Sequence, residues 1–154
     1  MLVKDTIKKI GESVTISGWV HVRRDMGKII FIHLRDHTGQ LQVVFVPGEC
    51  EQYELAKTLR NEFVVRLTGT VVARSEKNKN PDMLTGQVEL QAKTLEILNQ
   101  ADTPPFDLDN ATVSEEVRMR YRYVDLRTER MQKNLRLRHR VISFIRGWLD
   151  QQQF

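Results

Sequence analysis

A chain of 154 residues has room for one domain with a substantial core and an appendage. At 40% hydrophobic and 29% charged it has the composition of a soluble globular protein, and no apolar run approaches the roughly 20 residues needed to span a bilayer. The +4 formal charge is unevenly spread, so bulk charge is not the main reason for whatever the first hundred residues bind, and the lone cysteine, Cys50, excludes an intrachain disulfide and a cysteine-based zinc site.

Met1-Leu2-Val3-Lys4-Asp5 opens neither a secretory signal nor a transit peptide, which makes the cytoplasm the expected compartment. Ser13 to Val22 then alternates. Val14, Ile16, Val20 and Val22 share one parity with Gly18, while Thr15, Ser17, Trp19 and His21 share the other, the pattern of a half-buried strand. Asp25-Met26-Gly27-Lys28 breaks it with a turn. Ile29 to Arg35 is a second strand, Asp36-His37-Thr38-Gly39 a second turn, and Gln40 to Val46 a third strand that Pro47-Gly48 ends. Between Cys50 and Arg60 the period changes: Tyr53, Ala56 and Leu59 recur at helical spacing. Glu62 to Ala73 is a fourth strand, with Gly69 marking a bulge or bend. After the polar loop Ser75 to Gly86, a fifth strand runs from Gln87 to Leu98 and shifts phase near Lys93.

Three strands, a helix and two more strands describe a mainly β, five-stranded OB-fold Greek-key barrel with the helix between the third and fourth strands. Gly18 and Gly69 lie where a small barrel must bend its long strands. An α+β sandwich is the alternative architecture. The barrel is expected to occupy residues 1–100.

Residues 101–127 read as a linker or hinge. Thr103-Pro104-Pro105 imposes extended backbone, Asp107, Asp109 and Asn110 favour loops, and Ser114 can cap a helical turn at Glu115-Glu116. From Glu129 to Gln152 the pattern is helical. Leu137, Val141, Phe144 or Ile145, and Trp148 form a stripe that Leu135, Ile142 and Leu149 widen. A stripe this broad needs burial, and no further element follows it before Phe154. Residues 128–154 are therefore expected to be the first helix of a second, truncated domain. Residues 117–146 hold ten Lys/Arg against two Asp/Glu, leaving the remainder of the chain net acidic. A basic binding patch belongs at this end, unless the run is simply a solvated helix face.

Strand parity also singles out a candidate site. In the second strand Ile30, Ile32 and Leu34 point to the core, and Phe31, His33 and Arg35 point away. In the third strand Leu41, Val43 and Phe45 are core, which puts Gln42 opposite, beside Val44; in the fifth, Glu89 and Gln91 face outward. An exposed aromatic ring is a platform for an unstacked base, while Gln can donate and accept at a base edge and Glu can accept. Arg23, Arg24, Lys28, Arg35 and Arg74 are candidate phosphate contacts. The plainer alternatives are that Phe31 packs under a loop or the linker and that Gln42 and Glu89 are solvated surface. Trp19 shares the outward parity but suits packing at a barrel end. His21, His33, His37 and His139 are too scattered to chelate a metal, and neither a GxxxxGK phosphate loop nor a GxSxG nucleophile motif occurs.

The segments Gly18-Trp19-Val20-His21-Val22-Arg23-Arg24-Asp25 and Phe31-Ile32-His33-Leu34-Arg35-Asp36 resemble the anticodon-binding domain of bacterial-type aspartyl-tRNA synthetases. So do Leu59-Arg60-Asn61-Glu62-Phe63-Val64-Val65, Thr85-Gly86-Gln87-Val88-Glu89, Val113-Ser114-Glu115-Glu116-Val117-Arg118 and Tyr121-Arg122-Tyr123-Val124-Asp125-Leu126-Arg127. The resemblance implies that Phe31 stacks on the middle anticodon base, a uridine, and that Gln42 and Glu89 read the anticodon. It also implies that Arg24 contacts the anticodon loop and that Arg74, Asn78 and Asn80 sit in a segment approaching it. The helix from Glu129 is similar to the long helix of class II motif 1, at a homodimer interface. Motifs 2 and 3 are absent, so no catalytic residue and no cofactor are expected in this chain. The full-length enzyme would use ATP and magnesium to join aspartate to tRNA. Two rival readings are a general single-stranded nucleic-acid module or asparaginyl-type fragment, and an interaction domain that dimerises through its last helix.

Overall fold

The structure is a computed structural model that describes residues 1–110 and 112–154; Ala111, within the expected linker, lies outside the described residues. The chain divides into two compact units, Met1–Thr103 and Pro104–Phe154. The first is built on β1 (Ser13–Met26), β2 (Ile29–Asp36), β3 (Gly39–Phe45), β4 (Val64–Ala73) and β5 (Val88–Asn99), with the one-turn helix α1 (Tyr53–Ala56) between β3 and β4. The strands close into a barrel in the order β1-β2-β3-β5-β4, and β4 pairs back onto β1. All pairings are antiparallel except the short β3–β5 ladder. That is the five-stranded OB barrel expected from the strand pattern.

Alternation fills the barrel. Ile16, Val20, Ile32, Leu34, Leu41, Val43, Phe45, Val65, Leu67, Val71 and Leu90 are at most 1% exposed and form one cluster. A 3-10 turn, Val3–Lys8, adds fully buried Val3 and Thr6 to this core. It is pinned where the Val3 N–H donates to Asp36 Oδ2 at 2.8 Å. The two interior glycines sit where strands cross closely: a Cβ on Gly18 would lie 2.5 Å from the Arg35 carbonyl oxygen, and one on Gly69 2.2 Å from that of Gln91. Only glycine lets the backbones approach so far.

Three bulges break the alternation, one of them at Leu98 near the end of β5, where the partners of Val64 and Val65 are Asn99 and Ile97. On β5 the partners of Thr68 and Gly69 are Thr94 and Ala92, so Lys93 is the extra residue, where the phase shift is expected. On β1 the partners of Leu34 and His33 are Val20 and Val22, so His21 is the extra residue. The β1 bulge overturns the inward reading of Val22. Beyond it the parity inverts, Val22 lies across from outward-facing His33, and Arg23 lies across from core residue Ile32.

The helix read from Cys50 to Arg60 is only one turn long. Its expected first residues are bonded to β5: the Glu51 N–H donates to the Lys93 carbonyl at 3.0 Å, and Gln52 Oε1 accepts from the Leu95 N–H at 2.9 Å. Partners on the Lys93 bulge thus replace the first turn of a helix.

The second unit contains α2 (Glu115–Arg120), α3 (Arg122–Asp125) and α4 (Glu129–Gln151). Ser114 caps α2 as expected, its Oγ accepting from the Val117 N–H at 3.4 Å, and Thr128 caps α4 through Met131 in the same way. Asp125, 1% exposed, receives Arg118 Nε at 2.8 Å and Arg122 Nη1 at 2.5 Å. The segment expected as a linker therefore holds two short helices tied by a buried carboxylate. Leu137, Val141, Phe144, Ile145 and Trp148 of α4 are exposed. Among the described residues no helix is long and apolar enough to cross a membrane.

Candidate nucleic-acid interface

Paired residues on neighbouring strands share a face, so the register carries two rows around the outside of the barrel. One row runs Arg24–Phe31–Val44–Gln91–Thr70 and the next Val22–His33–Gln42–Glu89–Val72, each crossing β1, β2, β3, β5 and β4. Phe31 is half-buried and outside the interior cluster. Its partner Val44 is only 7% exposed yet also outside that cluster, so the two form an apolar patch on the outer wall.

Beside this patch Gln42 Nε2 donates to Glu89 Oε2 at 2.7 Å. Arg74 follows β4, and its Nε lies 3.7 Å from the same carboxylate oxygen. Among the described residues that buried Nε has no hydrogen-bond partner, and the Arg74 side chain is 10% exposed. The Gln42–Glu89 pair leaves one amide hydrogen, the amide oxygen and one carboxylate oxygen for a ligand. A ring stacked on Phe31 would turn its edge toward this mixed set of donor and acceptors.

The β1 bulge decides which arginine joins this surface. Arg24 is exposed and lies across from Phe31. Arg23 is drawn to the barrel end, donating to the carbonyls of Lys57 and Leu59 and, through Nε, to Asp25 at 2.9 Å. Arg35 is likewise committed. It donates to both Glu62 oxygens at 2.7 and 3.0 Å and contacts His21 Nδ1 at 2.8 Å. Glu62 is 5% exposed, with backbone in the left-handed region at φ 67. Arg23 and Arg35 therefore serve the fold, against their expected place among phosphate contacts. Lys28, in the β1–β2 turn, is exposed.

Asn78 and Asn80 lie in the β4–β5 connection, Asn78 exposed and Asn80 half-buried. The Asn80 side chain is turned to its own loop, accepting from the Asp82 N–H at 3.0 Å. The loop base is closed by hydrogen bonds. Asn80 N–H donates to the Gly86 carbonyl at 3.1 Å, and the buried Thr85 hydroxyl donates to the Gln40 carbonyl at 2.5 Å. The structure thus brings Arg24, Phe31, Gln42, Glu89 and Arg74 to one face, with Asn78 and Asn80 on the adjoining loop. Val44 and His33 complete the face. Sequence parity put both there, but only the register shows that they flank Phe31 and Gln42. In OB barrels the face of strands 2 and 3 and the loops joining strands 1–2 and 4–5 are where oligonucleotides bind. Among the described residues no three His, Cys, Asp or Glu gather into a group that would hold a metal.

Residues 14–98 match the family model described as OB-fold nucleic acid binding domain, and residues 114–154 match that of tRNA synthetases class II (D, K and N). The chain is 48% identical over 149 residues to an aspartate–tRNA ligase of Oceanobacillus iheyensis, an alignment covering 96% of this chain and 25% of that protein. It is 51% identical over 151 residues to an aspartate–tRNA(Asp/Asn) ligase of a Geobacillus species, covering 97% and 25%. Among solved structures, asparaginyl-tRNA synthetase from Pyrococcus horikoshii complexed with asparaginyl-adenylate superposes with a TM-score of 0.84 at 26% identity, over 98% of this chain and 34% of that one. The chain spans about a quarter of the length of the curated relatives it matches. With a five-stranded barrel and a family match that coincide over residues 14–98, more than half its length, the chain belongs to the OB-fold nucleic acid binding domain family of anticodon-binding domains, joined to the beginning of a class II tRNA synthetase domain.

Proposed function

We propose that this chain is the anticodon-reading part of an aspartate–tRNA ligase. One observation carries the reading: an aromatic side chain outside the barrel, Phe31, stands one row from a hydrogen-bonded amide–carboxylate pair, Gln42 and Glu89. The middle anticodon base leaves its stack and lies on Phe31. Gln42 and Glu89 meet its edge, where a uridine offers one N–H donor between two carbonyl acceptors. Arg74 holds the carboxylate in place. Arg24 and the loop bearing Asn78 and Asn80 approach the neighbouring nucleotides and their phosphates.

In this reading residues 1–100 are the anticodon-binding domain, 101–127 the hinge and 128–154 the first helix of the catalytic domain. The exposed apolar side of that helix lies at a homodimer interface of the complete enzyme. The complete enzyme works in the cytoplasm and uses ATP and magnesium to activate aspartate. The groups that would hold ATP and magnesium belong to motifs outside this chain.

The test is a fluorescence-anisotropy titration of the chain with anticodon stem-loops. One carries the aspartate anticodon GUC and the others replace its middle base. Tight binding to GUC with at least about tenfold loss on replacing the uridine is expected, the range of one lost base contact. Equal binding to every loop would indicate a general single-strand module. Concentration-dependent dimers with no RNA binding would indicate an interaction domain.

A further inference from the structure

His33 is the ring at the centre of the proposed face that the reading above leaves without a task. It lies across from Gln42 on β3 and Val22 on β1, between Phe31 and Arg35 on its own strand, and Glu89 of β5 stands next in its row. Arg24 on β1 stands across from the adjacent Phe31, His21 is the bulge residue beside its partner Val22, and Arg74 lies 3.7 Å from the carboxylate of Glu89 in the same row. Two arginines and a half-buried imidazole thus converge on one stretch of the outer wall.

We propose that His33 is a further RNA-binding residue of this face, taking up a proton as a phosphate of the bound loop comes between it, Arg24 and Arg74. In the free chain, burial, then the charges of Arg24, His21 and Arg74, hold the imidazole below its ordinary range, against the pull of the Gln40 hydrogen bond. A phosphate at this point neutralises the two arginines and accepts from a protonated ring. Proton and RNA then favour each other, and the coupling is reciprocal. The sign follows: the bound ring holds its proton to higher pH than the free one. Affinity therefore rises as pH falls through the bound value and levels off below the free value. One linked proton changes affinity by at most about tenfold per pH unit.

The inference rests on the RNA-binding reading, and the experiment separates the two. Anisotropy titrations of the full chain with the GUC stem-loop are run from pH 8 to pH 5.5 at constant salt, folding being checked by circular dichroism. The wild type is expected to bind several-fold tighter at the acid end. His33→Gln is expected to lose the pH dependence. His33→Lys is expected to bind at every pH at least as tightly as the wild type does at pH 8. His37→Gln, in the β2–β3 turn, is expected to keep the dependence. A wild type whose binding ignores pH, or a His33→Gln protein that keeps the slope, overturns the role of His33. No binding at any pH overturns the RNA reading itself.

Discussion

Replacing Phe31 by alanine separates an external platform from a structural ring. Inside a core, Phe→Ala costs about 3–5 kcal/mol. Phe31 is half-buried, outside the interior cluster, with Val44 its one apolar partner across the ladder. The stability cost should therefore be near 1 kcal/mol, well under the roughly 1.5–3 kcal/mol for fully burying such a side chain. For a barrel of this size that is a fall in Tm of about 4–8 °C. The binding loss should be larger, about 1–3 kcal/mol for one base stacked on an aromatic ring, or roughly 5- to 150-fold in Kd. Thermal melts followed by circular dichroism measure the first quantity, and anisotropy titration with the GUC stem-loop the second. Phe31→Trp should restore binding. A drop in Tm beyond about 15 °C, or unchanged affinity in a folded protein, would refute the assignment of Phe31 as a platform.

Four further outcomes follow from the same geometry. Glu89→Ala removes the carboxylate that Gln42 and Arg74 share, and titrations with middle-base variants should show discrimination falling at least as much as affinity. Glu62→Ala leaves Arg35 nearly buried without its carboxylate, and urea denaturation should show a loss of about 3–5 kcal/mol. The Asp36 carboxyl is pushed up by burial but held below its ordinary value by the combined hydrogen bonds of the Thr38 hydroxyl and the Val3, Thr38 and Gly39 N–H groups. Its depressed folded-state pKa makes its stabilisation complete above about pH 4 and lost as pH falls through the folded value; Asp36→Asn should be less stable at neutral pH and flatten the acid side of a stability–pH curve. A chain ending at Thr103 keeps the whole interior cluster and should melt cooperatively, with RNA affinity within about twofold of the full chain's because every proposed base contact lies in the barrel.

Much of this was legible in one sequence because β2 and β3 pair with no register shift over their whole length. The parity that buries Ile30, Ile32 and Leu34 leaves Phe31 and His33 outside, and the same reasoning applies to Gln42. The β1 bulge was not legible. Val20, His21 and Val22 read as unbroken alternation, and only the pairing with β2 shows His21 to be surplus. That one residue exchanges the roles of Arg23 and Arg24. The shortness of α1 escaped for a related reason, since Glu51 and Gln52 are satisfied by a strand some forty residues away. Glu62 read as the first residue of a strand. Its backbone is left-handed, and its buried carboxylate is paired with Arg35, a partner 27 positions distant. Each miss is a long-range contact overriding a local period.

The parallel ladder between β3 and β5 joins only three residue pairs, and the middle of the outer wall passes through it at Gln42 and Glu89. It is the seam that turns a curled sheet into a cylinder, and its two sides are far apart along the chain, so it has the least pairing of any joint in the wall. A nucleotide gripped by both side chains would act as a rivet across that joint. Amide protons along Gln42 to Val44 and Glu89 to Gln91 should then exchange with solvent more slowly once RNA is bound, so that reading the base and locking the cylinder are one event.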